Sequence, residues 1–109
     1  MNWELDYLPE AKKDLSDFSV YEQKLIVKAI SKVLQNPLPA SDGGYGKPLG
    51  NKNGTSLAGF SKIKLRAMGI RVVYKLVMKE GKMLVIIIGA RADDEVYDIA
   101  QNRIKKHNL

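Results

Sequence analysis

The chain has 109 residues, 45% of them hydrophobic, and a formal net charge of +6. That length fits a single domain over residues 1–109 with one core, and the lack of any cysteine excludes disulfides and thiol chemistry. The longest apolar run, Met83 to Ile88, is strand-sized, and the opening MNWELDY lacks the basic start and apolar centre of a signal peptide, so the expectation is a cytoplasmic protein with no membrane partner.

Trp3, Leu5 and Tyr7 alternate with Glu4 and Asp6, the period of a strand with one buried face. Pro9 suits the first turn of a helix. Leu8, Ala11, Leu15 and Phe18 recur at helical spacing, which predicts a short amphipathic helix from Pro9 to Phe18. Ser19 with Glu22 three residues on has the pattern of a capping box. The helix that follows carries Ile26, Ile30, Val33 and Leu34 on its core stripe, and Asn36-Pro37 stops it. The two helices are expected to form a hairpin packed on a sheet.

Pro37 to Thr55, PLPASDGGYGKPLGNKNGT, is rich in Gly, Pro, Asn and Ser and reads as a loop. Its GGYGK is not a phosphate-binding P-loop, because the Walker spacing and the Ser or Thr after the lysine are missing. Leu49 and Leu57 are candidate anchors of the loop to the core.

Phe60 to Lys75, FSKIKLRAMGIRVVYK, reads as two strands around a tight turn. Ile63 and Leu65 point to the core, and Lys62, Lys64 and Arg66 to the other side. The second strand runs from Ile70 to Met78, with Gly69 supplying the positive φ of a tight hairpin. A two-residue loop, Met68-Gly69, sets Arg66 against Arg71, Lys64 against Val73 and Lys62 against Lys75. All five cations then share a face. A three-residue loop would turn Arg71 into the core, where its charge would need a partner. Tyr74 lies with Val72 and Leu76 on the core side, and Met68 is expected to be exposed at the turn.

Glu80-Gly81 turns the chain. MLVIIIGA, Met83 to Ala90, is apolar on both sides and reads as a central strand covered on both faces. Arg91 ends it. Asp93, Asp94 and Glu95 suit a helix N-terminus. Val96, Ile99, Ala100 and Ile104 mark the buried face of a closing helix, with Tyr97 at that face's edge. His107 is expected in a frayed tail. The fold class is α+β: an N-terminal strand, a helix hairpin on a small, mainly antiparallel sheet, and a closing C-terminal helix.

Charge is unevenly placed. Met1 to Asp42 has seven acids and five bases, whereas Gly43 to Leu109 has thirteen bases and five acids. Between Gly43 and Lys79 there are eight Lys or Arg and no acid. A one-sided basic field attracts polyanions. Like charges opposite one another stabilise nothing in a sheet. The row is therefore either a solvated face that protects an edge from aggregation or a site for an anion.

Several chemistries are poorly served. The single histidine disfavours a Ser-His-Asp triad, and no Cys/His cluster offers a zinc site. The carboxylates lie mostly on helices, away from the basic field, which argues against a two-metal nuclease. No metal or cofactor is expected. A metal-free cationic site remains, and RNA can be cleaved there by its own 2′-OH. Lys and Arg stabilise the charge that develops on phosphorus-bound oxygens. A lysine among other cations has its charged form disfavoured and becomes useful as a proton carrier; Lys64, between Lys62 and Arg66, occupies such a position. DNA lacks the 2′-OH and is not cut this way.

The run KIKLRAMGIRVVY, then GAR followed by EVYDIA, resembles the RelE toxins of bacterial type II toxin–antitoxin systems over nearly the whole chain. The resemblance implies a ribosome-dependent mRNA endoribonuclease that works in the A site without metal. It also implies an antitoxin protein as partner in a hetero-oligomer. By the same resemblance the catalytic set is Lys62, Lys64, Arg71, Arg91 and Tyr97. Lys64 and Arg71 are then assigned to the transition state, Arg91 and Tyr97 to acid–base work and stacking. Lys47, Lys52, Arg66 and Lys75 extend the RNA-binding surface. Gly50 stands after Leu49 where relatives often carry a basic residue, and Lys47 or Lys52 is the candidate substitute. Two readings from other classes remain: a gyrase-inhibiting toxin of the related ParE type, a group that generally lacks this lysine pair and Arg/Tyr set, and a non-catalytic basic module that binds RNA or an acidic peptide.

Overall fold

Local sequence sets each element. The chain runs through β1 (Glu4–Tyr7), α1 (Pro9–Ser16), α2 (Val20–Leu34), β2 (Lys47–Pro48), β3 (Asn51–Lys52), β4 (Thr55–Ser56), β5 (Phe60–Leu65), β6 (Ile70–Val77), β7 (Lys82–Gly89) and α3 (Asp93–Lys106). This computed structural model describes residues 2–52, 55–90 and 92–109, with the backbone alone for Asn51, Lys52, Thr55, Ser56 and Asp93. Pro9 opens α1, where its missing N–H costs nothing. The capping box forms at α2: Glu22 N–H donates to Ser19 Oγ at 3.1 Å, and Ser19 N–H donates to Glu22 Oε1 at 3.0 Å. Two orphan donors are thereby satisfied.

The main sheet has the order β1-β7-β6-β5-β2, and β3 pairs with β4 in a separate hairpin. β1 runs parallel to β7, and the other pairs are antiparallel. The α+β class, the helix hairpin and the closing helix are as the sequence predicts. The loop after α2 contains more order than its composition announces, namely β2 and the β3–β4 hairpin. Leu49 and Leu57 anchor it as buried side chains.

The β5–β6 turn corrects the expected register. Leu65 pairs with Ile70, Lys64 with Arg71, Ile63 with Val72 and Lys62 with Val73. The loop is therefore four residues long, Arg66 to Gly69, built as a 3-10 turn that closes on Gly69 at φ 65°. The expected pairing was displaced by two residues. A two-residue slip preserves which face each side chain takes, so Lys62, Lys64, Arg71 and Lys75 still share one. Arg66 leaves the strand for the turn. Met68 is half-buried against the core instead of exposed.

The opposite face is apolar. Ile63, Ile70, Val72 and Tyr74 are buried there, and Ile26, Ile30 and Val33 of α2 are buried with them in one core. Full burial of such a side chain stabilises by roughly 1.5–3 kcal/mol. The Tyr74 hydroxyl donates to the Pro37 carbonyl at 2.9 Å and fixes the chain where α2 ends. β7 carries an irregularity. Val73 pairs with Ile87 and Tyr74 with Val85, so Ile86 is an extra residue, a β-bulge.

The tail is not frayed. His107 closes α3, and its Nε2 lies 2.9 Å from Glu10 Oε2 on α1, beside a Lys106–Glu10 ion pair at 3.2 Å. These contacts hold the Glu10 carboxyl down at about 2, first through the His107 ring, then its own backbone N–H and Lys106. Among the described residues, no helix is long and apolar enough to cross a membrane.

Candidate functional site

The cations come together through the pleat and the register. Lys64 and Arg71 lie directly opposite each other on β5 and β6. Lys47 of the edge strand β2 lies directly opposite Lys62. Cross-strand partners point to the same face, so Lys47, Lys62, Lys64 and Arg71 form a patch across three strands. Lys75 belongs to the same face opposite Phe60, and its Nζ sits 5.8 Å from that ring's centroid, a cation–π contact.

Arg71 is oriented by its own turn. Its Nη1 donates to the Gly69 carbonyl at 2.9 Å. Lys64, Arg66 and Arg71 line a cleft of about 180 Å³ together with Leu65, Gly69 and Ile70. Arg66, having left the strand row, thus rejoins the other two at the turn. Lys62, Lys64 and Arg71 are half-buried, and Lys47 and Arg66 are exposed. A half-buried cation keeps its charge close to low-dielectric surroundings, where it acts more strongly on a phosphate than in open water.

Gly89 of β7 is the next neighbour of Arg71 across the sheet. A Cβ on Gly89 would come within 3.1 Å of Val96 on α3, so the missing side chain lets α3 approach this face. Tyr97 follows Val96 and is buried, at 5% exposure. The structure therefore sets α3 against the cationic face but keeps the Tyr97 ring covered. Arg91 lies outside the described residues, and so does the side chain of Lys52. Among the described residues, no group of three or more His, Asp and Glu is arranged to hold a metal ion.

Sequence reasoning missed two features near the site. The Ile86 bulge has no mark in the run MLVIIIGA. The half-buried pair of Asp14 and Arg103, which contacts the β7 backbone, links residues 89 positions apart.

No protein-family model matches the chain. A RelE-like toxin protein of Escherichia coli is 27% identical over 106 residues, covering 96% of this chain and 100% of that protein. Among solved structures, a two-arginine mutant of E. coli toxin RelE in the free state is 27% identical, with a TM-score of 0.74, covering 95% of this chain and 99% of that one. Such a mutant in complex with a peptide of the antitoxin RelBc is 26% identical, with a TM-score of 0.68, covering 92% and 95%. Fold and register together give a small α+β protein with a cationic sheet face. In sequence and in fold, the chain is similar to RelE-like toxins.

Proposed function

We propose that this chain is the toxin of a type II toxin–antitoxin pair and a ribosome-dependent endoribonuclease. It cleaves mRNA in the A site by promoting attack of the message's own 2′-OH, without metal. The observation that carries the reading is the direct opposition of Lys64 and Arg71, with Lys62 and Lys47 alongside on one face. A concentration of positive charge on one face attracts and holds a polyanion.

In the reaction, the 2′-oxygen bonds to phosphorus and the bond to the 5′-oxygen breaks. One proton leaves the 2′-OH and one reaches the departing 5′-oxygen. Arg71 and Lys64 stabilise the charge on the non-bridging oxygens, and the Gly69 carbonyl orients the Arg71 guanidinium before the message arrives. Lys62, Lys47 and Lys75 hold flanking phosphates, with Arg66 at the mouth of the cleft and Lys52 as a further candidate. Lys64 is the candidate proton carrier. Arg91 and Tyr97 complete the catalytic set. A base reaches the Tyr97 ring only when the first turn of α3 moves, because that ring is 5% exposed.

The partner that restrains this activity is an antitoxin that covers the basic face in a hetero-oligomer. A relative solved with an antitoxin peptide supports that part of the reading. Adding the protein to translating extracts and mapping message ends tests the whole. The expected products are an upstream 2′,3′-cyclic phosphate and a downstream 5′-hydroxyl. Intact messages together with inhibited gyrase would replace this reading with the ParE-type one.

A further inference from the structure

Among the described residues, no strand covers the last stretch of the β7 edge. β1 follows β7 only as far as Val85, where the Leu8 N–H donates to the Val85 carbonyl at 3.0 Å. Beyond that point, side chains from two helices take over the backbone groups. Asp14 of α1 accepts from the Ile88 N–H at 3.0 Å, and Arg103 of α3 donates to the Ile86 carbonyl at 3.0 Å. The two also form a fork with each other, Nη1 to Oδ2 at 2.6 Å and Nη2 to Oδ1 at 3.1 Å. Their side chains are 17% and 18% exposed, unlike an ordinary surface pair.

Ile86 is the bulge residue, so Arg103 grips the irregularity itself. The bulge decides which residue faces Arg71. Without it, the pairing of Tyr74 with Val85 would continue in step and set Arg71 against Ile88. Every β7 side chain beyond the bulge would then change faces. A branched Ile88 side chain would stand beside Arg71 on the cationic face. Gly89 would also lose the place where its missing Cβ admits Val96.

We propose that Asp14 and Arg103 are positioning residues for the cationic site: together they hold the Ile86 bulge, and thereby the register that sets Gly89 opposite Arg71. The pair also ties down α3, on which Tyr97 precedes Arg103 by six residues. The link from register to catalysis rests on the proposed nuclease function; the register itself is measurable without it.

The test compares Asp14→Ala, Asp14→Asn, Arg103→Met and the exchanged pair Asp14→Arg with Arg103→Asp. Asp14→Ala should lower single-turnover cleavage at saturating ribosome by up to about 100-fold through misplacement of the site. Ribosome affinity should be unchanged, since the docking cations remain. Asp14→Asn keeps an acceptor for the Ile88 N–H and should retain most of the rate. The exchanged pair restores opposite charges but sets a donor against the Ile88 N–H and an acceptor against the Ile86 carbonyl. It should not rescue, and rescue would reduce the pair to an ordinary ion pair and overturn the proposal. Should Asp14→Ala fail to fold, Arg103→Met serves in its place. A methionine fills much of the arginine's volume but donates to neither the Asp14 carboxylate nor the Ile86 carbonyl, so a full rate there also overturns the proposal. Cross-strand nuclear Overhauser contacts read the register directly. Arg71–Gly89 contacts should weaken in the damaging variants, and retention of the native pattern in all of them refutes the lock. If the unaltered chain cuts no message at all, the nuclease reading fails, while the Overhauser pattern still decides the register claim.

Discussion

The two faces of the β5–β6 hairpin are made from the same eighteen residues, Phe60 to Val77, and differ in chemistry. On one face Ile63, Val72 and Tyr74 pack with α2 and are almost completely removed from water. On the other, Lys62, Lys64 and Arg71 lie at adjacent positions with Lys47 across the edge. The first face is apolar and stabilises the fold, and the second sets cations side by side over the buried Phe60 and Val73. Alternation at period two lets one short segment do both. Mutations on the two faces should therefore separate stability from activity.

The largest effect is expected from Val72→Asp. It buries an unpaired carboxylate at a position with no exposure and should abolish folding, with a cost of roughly 3–5 kcal/mol. Loss of the thermal transition measures it. Next comes Arg71→Ala, one residue away on the other face. Cleavage should fall about 100- to 1,000-fold, in line with the loss of one preorganised charge donor. Its melting temperature should stay near that of the unaltered chain, because the residue contributes charge and not core. Equal losses in cleavage and binding would make Arg71 a docking residue. Tyr74→Phe removes the hydroxyl bonded to Pro37 and leaves a carbonyl without that donor. A loss of about 1–3 kcal/mol is expected in denaturant unfolding, with the cleavage rate of the folded fraction unchanged.

The smallest effect concerns pH, at a place remote from either face. The Glu10 carboxyl is depressed in the folded chain to about 2, chiefly by the His107 ring. A depressed carboxylate adds stability that is present above its ordinary, unfolded value and is lost as pH falls toward the folded one. Stability should therefore decline as the pH is lowered from about 4.5 to about 2. Glu10→Gln should flatten that decline, as acid unfolding curves would reveal.

The strands and helices were legible because their periods are simple. The capping box at Ser19 and Glu22 formed as read. So did the burial of Tyr74, Leu49 and Leu57. The hairpin was legible by face but not by partner. Gly69 marks a turn, yet nothing in Arg66-Ala67-Met68 announces that these residues enter a 3-10 turn and lengthen the loop to four. An error of two residues left the cations together, since parity survived. The Ile86 bulge was out of reach for a deeper reason. It depends on Asp14 and Arg103, brought from opposite ends of the chain by the tertiary fold, and Met83 to Gly89 contains no local cue. The same holds for His107: its tether is Glu10, 97 positions away.

If this face cleaves a message through the message's own 2′-OH, a single 2′-deoxy nucleotide immediately upstream of the scissile phosphate should block the cut. Charge and stacking are unchanged, so such a message should bind in the A site with the protein as the normal one does. No cut is expected at that phosphate. Cleavage of the substituted message at an undiminished rate would rule out attack by the 2′-OH.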